Sequence, residues 1–190
     1  KGKNDDGHKY LEEALKKGAS YCVASDKIRK EKNRKLIKVS NTKSFLNKLA
    51  FLKREKSNTK IIAITGSTGK TTVKDLLGNL LQNYGKTFYS QKSYNNHFGV
   101  PLSLGNLEED HKFGVFEIGM SKSGEINRLS KLVKPHIGVI TNVAEAHIEN
   151  FKNIKKIAEA KGEIIDNISE GGCLITYRDD NFYNFFNLIN

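Results

Sequence analysis

Residues 60–72 read KIIAITGSTGKTT, and the fold follows from how this stretch is punctuated. Lys60–Thr65 is a continuous apolar run of strand length, the pattern of a strand buried on both faces. Gly66-Ser67-Thr68-Gly69 breaks the run, and Lys70-Thr71-Thr72 opens a helical stretch that continues to about Tyr84. The two glycines let backbone amides point inward without Cβ obstruction, and the helix turns its positive N-terminus to the same space. Lys70 then supplies a point charge for the terminal phosphates of a nucleotide, and the Thr71 hydroxyl suits Mg²⁺. The loop is shorter than the usual GxxxxGK[ST] pattern, because Ile64 stands where the first glycine would be. A Gly/Ser turn that merely precedes a helix is the competing reading; it gives no reason for strand, GKTT and helix to occur together.

Outward from this stretch, further apolar strands are expected at Thr87–Tyr89, Gly114–Ile118, Ile137–Thr141 and Cys173–Thr176, with helices at Gly124–Val133 and Ile154–Ile168. Strands alternating with amphipathic helices predict an α/β fold, a mostly parallel sheet with flanking helices on both faces. Ligands of such sheets gather at the carboxyl ends of the strands, so the residues following Thr65, Ile118 and Thr141 are the candidates for chemistry. Upstream, a helix at His8–Lys17 ends at Gly18. Strand candidates Tyr21–Ala24 and Leu36–Val39 come next, and then a helix from Thr42, a plausible cap, through about Lys53. These are too few strands for a complete domain. The charged stretch Lys53–Lys60 (KREKSNTK) reads as a linker, which divides the chain into residues 1–56, part of a small α/β domain, and 57–190, a nucleotide-binding domain.

With 190 residues, 37% of them hydrophobic, and a mean hydropathy of −0.53, the chain can bury a real core. No apolar run approaches the roughly 20 residues that span a bilayer. The net charge of +11 comes mostly from lysines spread along the chain, without an Arg-rich arm or an aromatic-interleaved basic stripe, so no nucleic-acid partner is expected. Such a surface suits an anionic small substrate. Cys22 and Cys173 lie outside any CxxC spacing and read as buried thiols of a cytosolic protein.

Among the residues at strand ends, Glu117 is either a Mg²⁺ ligand or a solvated charge. His147, a short loop after the strand Ile137–Thr141, taken alone reads as structural, and Asn142 as a loop-orienting or substrate-facing amide. Lys161 is by itself one of many helix lysines, a surface charge. Asn95 and Asn96 are either an ordinary turn or amides for a γ-phosphate or a substrate carboxylate. Ser123-Gly124-Glu125 reads as a helix start, with Ser123 as cap and Glu125 near the positive terminus.

The segment TGSTGKTT (65–72) resembles the short phosphate loop of the Mur ligases and their folylpolyglutamate synthase relatives. YNNHFGVP (94–101), FEIGMSKSGEI (116–126), KPHIGVITNVAEAH (134–147) and AEAKGEI (158–164) continue the resemblance in order. Within the family they look most like the members that add D-alanyl-D-alanine to UDP-N-acetylmuramoyl-tripeptide, and GKNDDGH (2–8) resembles the end of such a member's UDP-sugar-binding domain. The resemblance implies ATP and Mg²⁺ as cofactors, with Gly66, Ser67, Thr68, Gly69, Lys70, Thr71, Thr72, Asn95 and Asn96 around the nucleotide. It also implies Thr71, Glu117, His147 and Lys161 at the metals, the lysine being carbamylated, and Lys70, His147 and Lys161 as catalytic groups. Relatives usually carry an asparagine where Ser93 stands, which weakens one polar contact. The reaction implied is carboxyl activation to an acyl-phosphate followed by amide formation, in a cytoplasmic enzyme of peptidoglycan precursor synthesis that acts on small molecules as a monomer. The same resemblance reads the chain as ending before the central domain is finished and lacking a third domain, so that alone it turns over little. A folylpolyglutamate synthase-like ligase and a non-catalytic nucleotide-binding remnant are the alternatives. The GKNDDGH and NNHFGVP segments argue against the first, and the intact Lys70, Thr71, Glu117, His147 and Lys161 against the second.

Overall fold

The computed structural model describes residues 6–25, 34–146 and 148–188. The chain divides into two compact units, Lys1–Leu46 and Asn47–Asn190. In the first, helix α1 (Leu11–Lys16) precedes two parallel strands, β1 (Cys22–Ser25) and β2 (Leu36–Val39). Helix α2 (Thr42–Lys56) follows, and the division falls within it. Its cap is Asn41 rather than Thr42: the Asn41 side-chain oxygen accepts from the Ser44 N–H at 2.9 Å.

The second unit contains a five-stranded sheet in the order β4-β5-β3-β6-β7, with every neighbouring pair parallel. In chain order its elements are β3 (Lys60–Thr65), α3 (Lys70–Leu81), β4 (Thr87–Tyr89), α4 (Gly99–Gly105), β5 (Phe113–Glu117), α5 (Glu125–Val133), β6 (Ile137–Ile140), α6 (Ile154–Gly162), β7 (Cys173–Thr176) and α7 (Tyr183–Leu188). The apolar run of β3 is split by strand periodicity. Ile62 and Ile64 join Val115 and Val139 under Val73, Leu77 and Leu81 of α3. Ile61 and Ala63 face the opposite way, into a larger cluster with Leu104 of α4, Ile126 and Leu129 of α5 and Ala158 of α6. Helices therefore cover both faces, as the alternation of patterns predicted.

Several local expectations need correction. Residues 53–60 are not a free linker: α2 continues through Lys56, and Arg54 is buried within the second unit. Its guanidinium donates to the carbonyls of Val133 (2.7 Å), Lys134 (2.8 Å) and Ser57 (3.2 Å), so a charge run that looked solvated is a structural pin. Helices α4 and α7 were not foreseen, because Pro101 and the short Asn-rich segments around each mask their periodicity. Helix α6 stops at Gly162, before the expected Ile168. Cys173 is exposed on β7, although Cys22 is buried. No helix among the described residues is long and apolar enough to cross a membrane.

Helix α3 approaches the sheet through Gly78, where an added Cβ would lie 2.5 Å from the Tyr89 ring of β4. Alanine in a helix interior ordinarily stabilises by about 1 kcal/mol over glycine. Here the sign reverses: Gly78→Ala should lower the unfolding free energy by about 1–3 kcal/mol through overpacking, measured by denaturant titration. Gly105→Ala, where a Cβ meets open space, should not.

Candidate active site

The carboxyl ends of β3, β5 and β6 lie side by side, with Ile64 opposite Glu117 and Thr65 opposite Ile140. The chain leaves β3 through Gly66, whose φ of +147° is open to glycine. A Cβ there would sit 1.9 Å from the Thr141 hydroxyl oxygen, so only glycine lets the loop cross the end of β6. The segment after β6 then holds the loop in shape. Thr141 Oγ1 donates to the Thr68 carbonyl at 2.6 Å. Asn142 accepts from the Ser67 N–H through its backbone and from the Thr68 N–H through its side chain, both at 3.0 Å, and its amide donates to Thr68 Oγ1. Ser67 Oγ exchanges hydrogen bonds with Ala144. Asn142 is thus a loop-orienting residue. Gly69 (φ +77°) delivers the chain into α3, whose first amide groups have no partner within the helix.

Lys70 folds back over this loop, its ammonium 2.7 Å from the Gly66 carbonyl and 3.3 Å from that of Ser67. Thr71, next in the helix, donates its hydroxyl to Glu117 Oε2 at 2.7 Å. Asn95 Nδ2 donates to the other carboxylate oxygen, also at 2.7 Å. Glu117 is only 1% exposed, so it is not a solvated strand-end charge: both oxygens are desolvated and held by neutral donors. Ser93, where relatives were expected to carry asparagine, lies with its hydroxyl 3.4 Å from that of Thr71. Asn96 lines the cleft as well, and its side-chain oxygen accepts from the Phe98 and Gly99 N–H groups at the entrance to α4. Thr72 is exposed on α3.

Lys161 does not lie on the surface. It is 2% exposed near the end of α6, and burial, with Lys70 adding repulsion, lowers its pKa to about 7. Lys70 is itself held below the ordinary lysine value by burial, against the attraction of Glu117. Gly66, Ser67, Lys70, Asn95, Asn96 and Lys161 line one cleft of about 430 Å³. His147 lies outside the described residues.

The same cleft is lined by residues the sequence did not single out for chemistry, among them His97, Met120, Ser121 and Arg128. Met120 and Ser121 lie three and four residues beyond the end of β5, so the strand-end rule pointed towards them; Arg128 lies on α5. The start of α5 is capped from outside. Glu163, just after α6, accepts from Ser123 Oγ and from the Gly124 and Asn127 N–H groups at 2.6–3.0 Å, replacing the expected Ser123 cap. Glu125 instead accepts from the Ser121 and Lys122 N–H groups and so shapes the loop that borders the cleft.

Comparison with known proteins agrees with this geometry. The chain is 41% identical over 181 residues to the UDP-N-acetylmuramoyl-tripeptide--D-alanyl-D-alanine ligase of Rickettsia prowazekii, a match covering 95% of this chain and 40% of that protein. It is 36% identical to the enzyme of the same name from Bacillus subtilis, again over 40% of its length. The structure superposes on MurF from Acinetobacter baumannii with a TM-score of 0.85 and 32% identity, covering 99% of this chain and 41% of that one. For the MurF ligase from Thermotoga maritima in complex with ADP the TM-score is 0.81, at 34% identity, over 97% of this chain and 43% of that one. The chain thus spans about 40% of the length of these curated relatives. Residues 64–189 match the family described as the Mur ligase middle domain. A parallel sheet with its phosphate loop clamped between β3 and β6, and this match along most of its length, mean that the chain belongs to the Mur ligases.

Proposed function

We propose that this chain is the nucleotide-activating part of an ATP-dependent ligase that joins D-alanyl-D-alanine to UDP-N-acetylmuramoyl-tripeptide in peptidoglycan precursor synthesis. The observation that carries the reading is the buried Glu117 carboxylate, shared by Thr71 and Asn95, beside a cleft lined by Lys70 and Lys161. The relatives bearing that ligase name support the choice of substrates. Residues 57–190 would then be the central ATP-binding domain and residues 1–56 the end of the UDP-sugar-binding domain, in a cytoplasmic protein that is a monomer when complete.

The donor set fits Mg²⁺, which takes hard oxygen ligands: the Glu117 carboxylate and the Thr71 hydroxyl already meet and would hold the ion. Two Mg²⁺ ions, one at Glu117 and Thr71 and a second near His147, with Lys161 also assigned to the metals, would neutralise charge on the phosphates. The loop amides and the start of α3 would cradle the phosphates, and Lys70 would leave the Gly66 and Ser67 carbonyls to reach the terminal ones. Orienting the γ-phosphoryl group for in-line attack by the peptide carboxylate is then mostly positioning. With ADP formed, the neutral amine of D-alanyl-D-alanine attacks the acyl-phosphate carbon, the C–O bond to phosphate breaks, and inorganic phosphate leaves while the new amide nitrogen gives up a proton. Asn95 and Asn96 would border the γ-phosphate or the carboxylate.

Lys161 is assigned carbamylation. The neutral amine adds to CO₂ and loses a proton, converting a cation into an anion that relieves the repulsion with Lys70. With a pKa of about 7 the amine is half neutral at that pH, unlike an ordinary lysine, so the reaction is favoured as pH rises through this value. At fixed dissolved ¹³CO₂, a carbamate carbonyl signal should grow as pH is raised through about 7 and be absent from Lys161→Arg. A wild-type spectrum without that signal would count against the assignment.

Two measurements test the larger reading. Phosphate release by the full-length protein should need both UDP-N-acetylmuramoyl-tripeptide and D-alanyl-D-alanine; release with a folate and glutamate instead would overturn it. Lys70→Ala should weaken ADP binding, read by calorimetry, by about tenfold or more, the scale of one lost charge-assisted contact.

A further inference from the structure

One buried charge has no part in the scheme above. Lys74 lies one turn along α3 from Lys70, is only 1% exposed, and ranks among the largest fully buried side chains. Burying an ammonium is costly, and an apolar side chain of similar length would fill the space without that cost. Its nitrogen donates to the Lys92 carbonyl at 2.7 Å and lies 3.1 Å from Asp75 Oδ1.

Lys92 is the apex of the segment 90–96, which crosses from β4 to the metal side of the cleft. Its φ of +49° is a left-handed backbone, uncommon for an L side chain, in a turn that the Tyr94 N–H closes on the Gln91 carbonyl at 3.3 Å. One end of the segment is tied to β5: the Ser90 N–H donates to the Val115 carbonyl at 3.1 Å. At the other end the Gly119 N–H donates to the Asn95 carbonyl at 2.8 Å, and the Asn95 side chain reaches Glu117. Between these ties, Ser93 faces Thr71. The apex itself is exposed, so the fold does not need it packed.

We propose that Lys74 is a positioning residue for the metal and phosphate site: its ammonium holds the Lys92 carbonyl, and so sets Ser93 and Asn95 against Thr71 and Glu117. Helix α3 thereby carries both the phosphate-contacting lysine and the lysine that shapes the loop opposite it. The proposal rests on the nucleotide and Mg²⁺ reading given above for its functional consequence, while its structural half stands on the hydrogen bond alone.

Trypsin tests the structural half without nucleotide. Cleavage after Lys92 should be about tenfold faster in Lys74→Met than in the unaltered chain, since one charge-assisted hydrogen bond no longer holds the apex. Cleavage after the exposed Lys17 should not change. ADP affinity measured with and without Mg²⁺ tests the functional half. Lys74→Met should lose about tenfold in the Mg²⁺-dependent gain, keep its Mg²⁺-free affinity and melt no earlier than the unaltered chain, and Lys74→Arg should recover part of the gain. Equal loss with and without Mg²⁺, or unchanged cleavage after Lys92, would overturn the proposal. If Lys74→Met does not fold, Lys92→Gly decides: relieving the left-handed backbone should enlarge the Mg²⁺-dependent gain, and an unchanged or smaller gain overturns the proposal. Should the unaltered chain bind no ADP with Mg²⁺, the nucleotide reading fails, and the trypsin comparison alone decides for Lys74.

Discussion

The second unit depends on the double burial of β3. A strand paired with parallel neighbours on both edges satisfies its backbone, and its alternate side chains then have to be covered on both faces. Ile62 and Ile64 are covered by α3, and Ile61 and Ala63 by the cluster that α4, α5 and α6 build. Once that sandwich forms, the ends of β5, β3 and β6 align at one edge, where Thr65 Oγ1 is a buried oxygen without a hydrogen-bond partner among the described residues. Below that edge the two faces of the sheet are packed by the apolar clusters.

The edge concentrates charge in a dry place, and this gives the site its chemical character. Among the described residues Glu117 is an acid without a cation in direct hydrogen-bond contact, held by a hydroxyl and an amide. Lys70 and Lys161 are both destabilised as cations, chiefly by burial, and Lys161 also by Lys70. An arrangement with its ionised groups kept from their best partners gains more than a solvated surface would from polyanionic phosphates and a divalent cation, because the electrostatic cost of assembling the donors has already been met by the fold.

Charged side chains outside the phosphate loop work as pins. Arg54 ties the end of α2 to the turn after α5, Glu163 ties the end of α6 to the start of α5, and Lys74 ties α3 to the loop after β4. Each joins separate segments through carbonyls or N–H groups at an element's end or in a loop, where backbone groups lack regular partners. In a lysine-rich sequence these few residues have the same letters as dozens of solvated ones. Only their location in the fold separates them.

That contrast sets the division between sequence and tertiary structure. The strand Lys60–Thr65, the glycine loop and the helix after it were legible from the sequence because hydrophobic period and turn chemistry are local properties, readable within about ten residues. The parallel sheet followed from the alternation of such segments, and the family from five motifs in order. The sequence could not say that Lys161 is buried while Lys155 and Lys156 of the same helix are exposed, that Asn95 rather than Asn96 reaches Glu117, that Arg54 ends no linker, or that Arg128 lines the cleft. Burial and desolvation come from residues distant in the chain. Local pattern therefore determined the phosphate loop, and the tertiary structure decided which charges surround it and how strongly each is perturbed.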